Sequence, residues 1–102
     1  MNDDLEFGIV RLSFREDKVG DFLANFETIK QQIRNSPGNR LLELYRDVDH
    51  PSVFFTYSYW DGPESLEAYR KSALFNEVWT YTKSLFAEKP MAWSTERLVR
   101  LD

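Results

Sequence analysis

The chain carries one histidine, His50, in a turn between Asp49 and Pro51. A general base needs a positioned partner, and a lone turn histidine reads as a solvated side chain. Ser36, Ser72 and Ser84 have no histidine to activate them, so Ser-His-Asp hydrolysis is not expected. There is no cysteine, which excludes a disulfide frame, a thiolate metal site and a thiol nucleophile. Asp3-Asp4 and Asp47-Val48-Asp49 are short acidic pairs with nothing beside them to complete a metal shell. No HExxH, GxGxxG or P-loop pattern occurs, and Gly8, Gly20, Gly38 and Gly62 are too scattered to cradle a phosphate. The expectation is therefore no metal and no bound cofactor. If the chain is an enzyme, its substrate must carry much of the reactivity.

What remains for chemistry is aromatic: eight Phe, five Tyr and three Trp. Such rings are large buriers and common pocket walls. Their use depends on the elements that hold them. Residues 5–14 read as a strand, and Asp17 is a plausible N-cap for the helix that follows. Val19, Phe22, Leu23, Phe26, Ile29 and Ile33 form a one-sided helical stripe to about Asn35, stopped by Ser36-Pro37-Gly38-Asn39. Residues 40–48 and 53–60 read as a hairpin across Asp49–Ser52. Pro63 suits the first position of a second helix, a break falls near Ser72, and a further helical stretch covers about 74–87. Residues 91–101 read as a last strand. The order β-α-β-β-α-β is that of an α+β, ferredoxin-like sandwich. It forms a single domain over 1–102, with its core at about 5–101.

Alternation in the third strand puts Phe54, Thr56, Ser58 and Trp60 on one face and Phe55, Tyr57 and Tyr59 on the other. Both faces of the sheet want burial, and helices cover only one. The other calls for a partner, most simply an identical chain packed sheet to sheet as a homodimer. Phe54, Thr56, Ser58 and Trp60 are assigned to the helix side. The small Thr56 and Ser58 leave room there for a cavity, with Trp60 at its edge. Tyr69, Phe75, Val78 and Trp79 project over the same space from the helices, giving a pocket suited to a flat aromatic molecule. The bland alternative is that these residues simply form core.

The formal charge of −4 argues against nucleic acid as a partner. No apolar run approaches the length that spans a bilayer, so no membrane is expected. With an acidic start (Met1-Asn2-Asp3-Asp4) and no cysteine, the cytoplasm is the expected location.

The stretch ELYRDVDHPSVFFTYSYWDGPESLEAYRKSALFNEV, residues 43–78, resembles the antibiotic biosynthesis monooxygenase (ABM) domain family. The carrying pieces are Pro37-Gly38, Glu43–Asp47, Trp60-Asp61, the helix Glu64–Ala68 and Ser72–Phe75. The resemblance implies a dimeric α/β barrel. It also implies a small oxygenase that acts on quinols, polyphenols or anthrone-type polycyclic aromatics without metal or flavin. A related branch degrades haem. Many members carry His where this chain has Tyr69 and Leu74. At the haem branch's axial His the chain has Trp79, at its helical Trp Tyr69, and at its strand-one Asn Val10. Haem degradation is disfavoured, because no imidazole is available there. For oxygenation, the resemblance makes Tyr69 and Trp60 the catalytic candidates. Tyr69 would hydrogen-bond a phenolate, and Trp60 and Trp79 would stack on or donate to the ring. Arg11 and Arg97 are counter-charge candidates should they face the pocket. Two readings stay open: a cofactor-independent monooxygenase on a small phenolic, quinol or polycyclic aromatic, or a non-catalytic dimeric ligand-binding or structural module.

Overall fold

The computed structural model describes residues 5–102. Strand β1 runs Glu6–Ser13, helix α1 Val19–Arg34, β2 Asn39–Arg46, β3 Val53–Trp60, α2 Pro63–Arg70, α3 Ala73–Lys83 and β4 Met91–Thr95. The sheet has the order β2-β3-β1-β4 and is antiparallel throughout. This is the α+β, ferredoxin-like arrangement, two β-α-β units interleaved so that β1 and β3 are central.

Local chemistry accounts for most boundaries. Gly38, at φ 83, turns the chain between α1 and β2, a conformation that costs a Cβ-bearing residue strain. Ser72 divides the second helical stretch with one hydroxyl. Its Oγ donates to the carbonyl of Tyr69 at 2.6 Å, closing α2, and accepts the N–H of Phe75 at 3.0 Å, opening α3.

Beyond shifts of one or two residues at the ends of β1 and β2, three features differ from the sequence expectation. Asp17 does not cap α1. It lies inside a 3-10 turn, Glu16–Lys18, and the cap position passes to Lys18 with no side-chain bond. Helix α3 ends at Lys83 rather than near 87. The chain there turns to bridge β1, with Phe14 opposite Phe86 and the N–H of Ala87 donating to Ser13 at 2.8 Å. Strand β4 stops at Thr95 rather than 101, because its partner β1 begins at Glu6 and Thr95 already lies opposite Phe7. Beyond that point only Glu6 of β1 remains.

The helices cover one sheet face. The core there joins Leu12, Phe14, Phe22, Phe54 and Leu85, with the Phe14 and Phe22 rings stacked at 4.2 Å. The opposite face carries a second aromatic row: Tyr59 lies opposite Phe7 on one side and Leu41 on the other, and Tyr57 opposite Ile9 and Glu43. Phe7 and Tyr59 stack at 4.3 Å under the guanidinium of Arg97. Among the described residues, no helix is long and apolar enough to cross a membrane.

Candidate active site

A strand buried on its helix-facing side normally fills that side with large residues. Here three neighbouring positions are small. Gly8 of β1 lies directly opposite Ser58 of β3, and Thr56 stands two residues along. Helices cannot close onto so shallow a floor. A partly open cavity of about 120 Å³ results. Its floor comes from Gly8, Val10, Leu42, Thr56 and Ser58. Its walls come from Phe22, Asn25, Phe26 and Ile29 of α1, Tyr69 and Arg70 of α2, and Phe75, Val78 and Trp79 of α3.

The rings are mutually fixed. Trp60, 1% exposed, stacks on Tyr69 with centroids 4.9 Å apart. Tyr69 meets Phe75 edge-on at 5.2 Å, and Phe75 stacks on Trp79 at 5.7 Å. Contacts of this kind hold rings within narrow orientations, so the wall is a continuous aromatic sheet rather than four independent side chains.

The polar groups are few. The indole N–H of Trp60 donates to Ser58 Oγ at 2.9 Å. That bond leaves the serine proton free to point elsewhere, since a hydroxyl accepts and donates at once. Thr82 is spent on the carbonyl of Val78 at 2.7 Å. Tyr69 is largely buried, and desolvation pushes its phenol up to about 12. It keeps its proton across the physiological range, which leaves the hydroxyl able to donate a hydrogen bond. No carboxylate or imidazole is among the cavity-lining residues.

Of the residues selected from sequence, the structure brings Thr56, Ser58, Trp60, Tyr69, Phe75, Val78 and Trp79 around this one cavity. Phe54 is not among them. It shares their sheet face, but it is sealed in the core against Phe14 and Phe22. Trp60 has no free N–H to offer a bound ring, because Ser58 already takes it. Arg11 and Arg97 both lie on the far face of the sheet. Arg11 pairs with Glu88 at 3.6 Å, and Arg97 covers Phe7 and Tyr59. His50 is exposed in its turn, where Asp47 Oδ1 accepts the N–H groups of Asp49 at 2.8 Å and His50 at 3.1 Å. These bonds, that of Asp49 foremost, hold the Asp47 carboxyl below its ordinary range. Among the described residues, no three His, Asp or Glu side chains converge as a metal site.

Sequence reasoning missed Gly8, Val10 and Leu42 of the floor, the whole α1 wall including Asn25, and Arg70. Asn25 was legible as the one polar residue three positions after Phe22, hence on the apolar face of α1. Gly8 was legible once its register with Ser58 is known, and that register is a tertiary fact.

The family model for antibiotic biosynthesis monooxygenase matches residues 8–79, a span that includes every small floor residue and the aromatic wall through Trp79. The chain belongs to this family. Solved structures agree in fold. A candidate antibiotic biosynthesis monooxygenase from Nitrosomonas europaea superposes with a TM-score of 0.87 at 19% identity, covering 96% of this chain and 94% of that one. A conserved protein of Methanosarcina mazei gives 0.87 at 13%, covering 92% and 93%. A Mycobacterium tuberculosis protein gives 0.86 at 16%, covering 96% and 99%. No curated protein matches the sequence significantly. At such low identities the likeness establishes the ABM fold, and the chemistry must be argued from the cavity.

Proposed function

We propose that this ABM-family protein is a cofactor-independent monooxygenase that acts on a small phenol or quinol held between sheet and helices, and that it works as a homodimer. The observation that supports the reading is the ring-walled cavity with hydroxyl donors at its edge. A ring of this kind, once ionised, is electron-rich enough to reduce dioxygen by one electron. Recombination of the radical pair forms a C–O bond, and loss of water leaves a carbonyl. For a phenol the balance is one ring C–H carbon becoming C=O, with the second oxygen atom leaving as water; dioxygen is the oxidant. The chain's own residues would orient the ring, keep bulk water out and donate to the oxyanion from Tyr69 and Ser58. Trp60 holds these two donors in place, one by stacking and one by its N–H.

The test is oxygen uptake by metal-stripped protein against a panel of phenols, quinols and anthrones. Uptake that depends on the protein, resists chelator and falls roughly 10²-fold in Tyr69→Phe is the expected result. The second reading, a non-catalytic dimeric ligand-binding module, is favoured by one observation: no carboxylate or imidazole lines the cavity. Folded, dimeric protein with no uptake above the buffer rate would establish that reading instead.

A further inference from the structure

Arg70 is the last residue of α2, and it lines the cavity while remaining exposed. Among the described residues it forms no ion pair. Glu67, one turn back on the same helix, is engaged with Lys71 at 3.4 Å. Among the described residues, neither β1, β2, β3, β4, α1 nor α3 contributes a charged side chain to the lining, and the only other titratable lining group is the phenol of Tyr69. The cavity thus meets one uncompensated cation and, elsewhere in its lining, the neutral hydroxyls of Thr56, Ser58 and Tyr69. Low-polarity walls focus such a charge, and a group that stabilises an anion lowers the pKa at which that anion forms. The volume of about 120 Å³ is close to the size of engineered apolar cavities that take up one benzene ring.

We propose that the cavity selects a single-ring phenol in its ionised form, with Arg70 as the specificity-determining residue. This rests on the reading of the cavity as a substrate site and supplies what that reading lacks. With no base in the wall, the site favours the phenolate by binding it better than the phenol. Arg70 stands at the helix terminus, where it meets solvent as well as cavity. It is therefore placed to draw in the anion and to remain beside its oxygen.

The test uses 4-nitrophenol, whose acid and anion differ in visible absorbance and which is a poor substrate for oxidation. The bound probe is expected to ionise about one pH unit below the free one, a tenfold preference for the anion. Nitrobenzene, the uncharged counterpart, competes correspondingly poorly. Arg70→Gln is expected to abolish the shift with an unchanged circular dichroism spectrum, and Arg70→Lys to retain part of it. A two-ring probe, 4-nitro-1-naphthol, is expected to bind at least tenfold more weakly. The proposal is overturned if nitrobenzene binds as well as the phenolate, if Arg70→Gln keeps the shift, if the naphthol binds equally well, or if folded protein does not bind nitrophenol. Probe binding does not depend on oxygen uptake. An anion-selective cavity without uptake therefore removes the oxygenase reading alone, and uptake with an indifferent cavity removes this proposal alone.

Discussion

Tyr69 and Gly8 show what single residues decide. Burial moves the Tyr69 phenol from its ordinary 10.0 to about 12, so folded and unfolded chains differ only in alkali. Below pH 10 the phenol is protonated in both states. Between 10 and 12 the unfolded chain releases the proton and the folded chain does not, so stability contributed by the buried phenol is lost as pH rises through that window. A spectrophotometric tyrosinate titration should contain a late phase near pH 12 from Tyr69, and Tyr69→Phe should remove that phase. A profile in which Tyr69→Phe leaves the alkaline titration unchanged would contradict the burial. At Gly8, a Cβ would stand 3.2 Å from Ser58 Oγ. The serine must then give way, which strains its bond from Trp60. Gly8→Ala is expected to cost less than about 1 kcal/mol in thermal unfolding while weakening nitrophenol binding several-fold. The shared face of Thr56, Ser58 and Trp60 was legible from the period of two. The exclusion of Phe54 was not. Two residues beyond Thr56 means roughly 7 Å along the strand, enough to move from the cavity into the core, and alternation carries no information about distance along a face.

At the scale of elements, the cavity wall depends on how α2 and α3 are jointed. Ser72→Ala removes the cap on the Phe75 N–H and the closing bond to Tyr69 together. It should cost about 1 kcal/mol, and the rings of Tyr69 and Phe75, which flank the joint, should loosen with it. Near-ultraviolet circular dichroism reads that loosening directly, since both rings lie in the chiral aromatic wall. Gly38 acts at the other end of α2. It needs its positive φ, and a Cβ there would collide with the Ser65 side chain. Gly38→Ala should therefore destabilise by about 2 kcal/mol or more in thermal unfolding, whereas Gly20→Ala, open to solvent on α1, should stabilise slightly. Element order and the break at Ser72 were readable because caps, prolines and periodicity are local signals. The ends of α3 and β4 were not. Each is set by what lies beside it, the Phe14–Phe86 bridge in one case and the start of β1 in the other.

At the scale of the whole molecule, the helices and the core they form occupy one sheet face and leave the second face to a partner of the proposed kind. Phe55, Tyr57 and Tyr59 are half-buried in the single chain, and Tyr45 is 52% exposed. An aromatic row of this kind, bordered by Arg11, Glu43 and Arg97, is suited to burial against a partner, and two-fold packing of like sheets would cover it without any second gene product. The proposed homodimer makes a sharp prediction because the two sheet faces do different work. Tyr57 lies near the centre of the outer row, opposite Ile9 and Glu43, with the whole sheet between it and the cavity. Tyr57→Arg puts an unpaired charge into the proposed interface, which should cost about 2 kcal/mol of association or more, roughly thirtyfold in dissociation constant. Sedimentation velocity should find the wild-type chain at twice its monomer mass at micromolar concentration and the variant shifted towards monomer. The variant's helix content and its affinity for nitrophenol should be kept, since neither Arg70 nor the small floor residues touch that face. A wild-type chain that sediments as a monomer removes the dimer. A Tyr57→Arg monomer that loses the cavity as well as the partner would show that the two faces are coupled, and that the aromatic wall is held in shape only when the sheet is backed by a second copy.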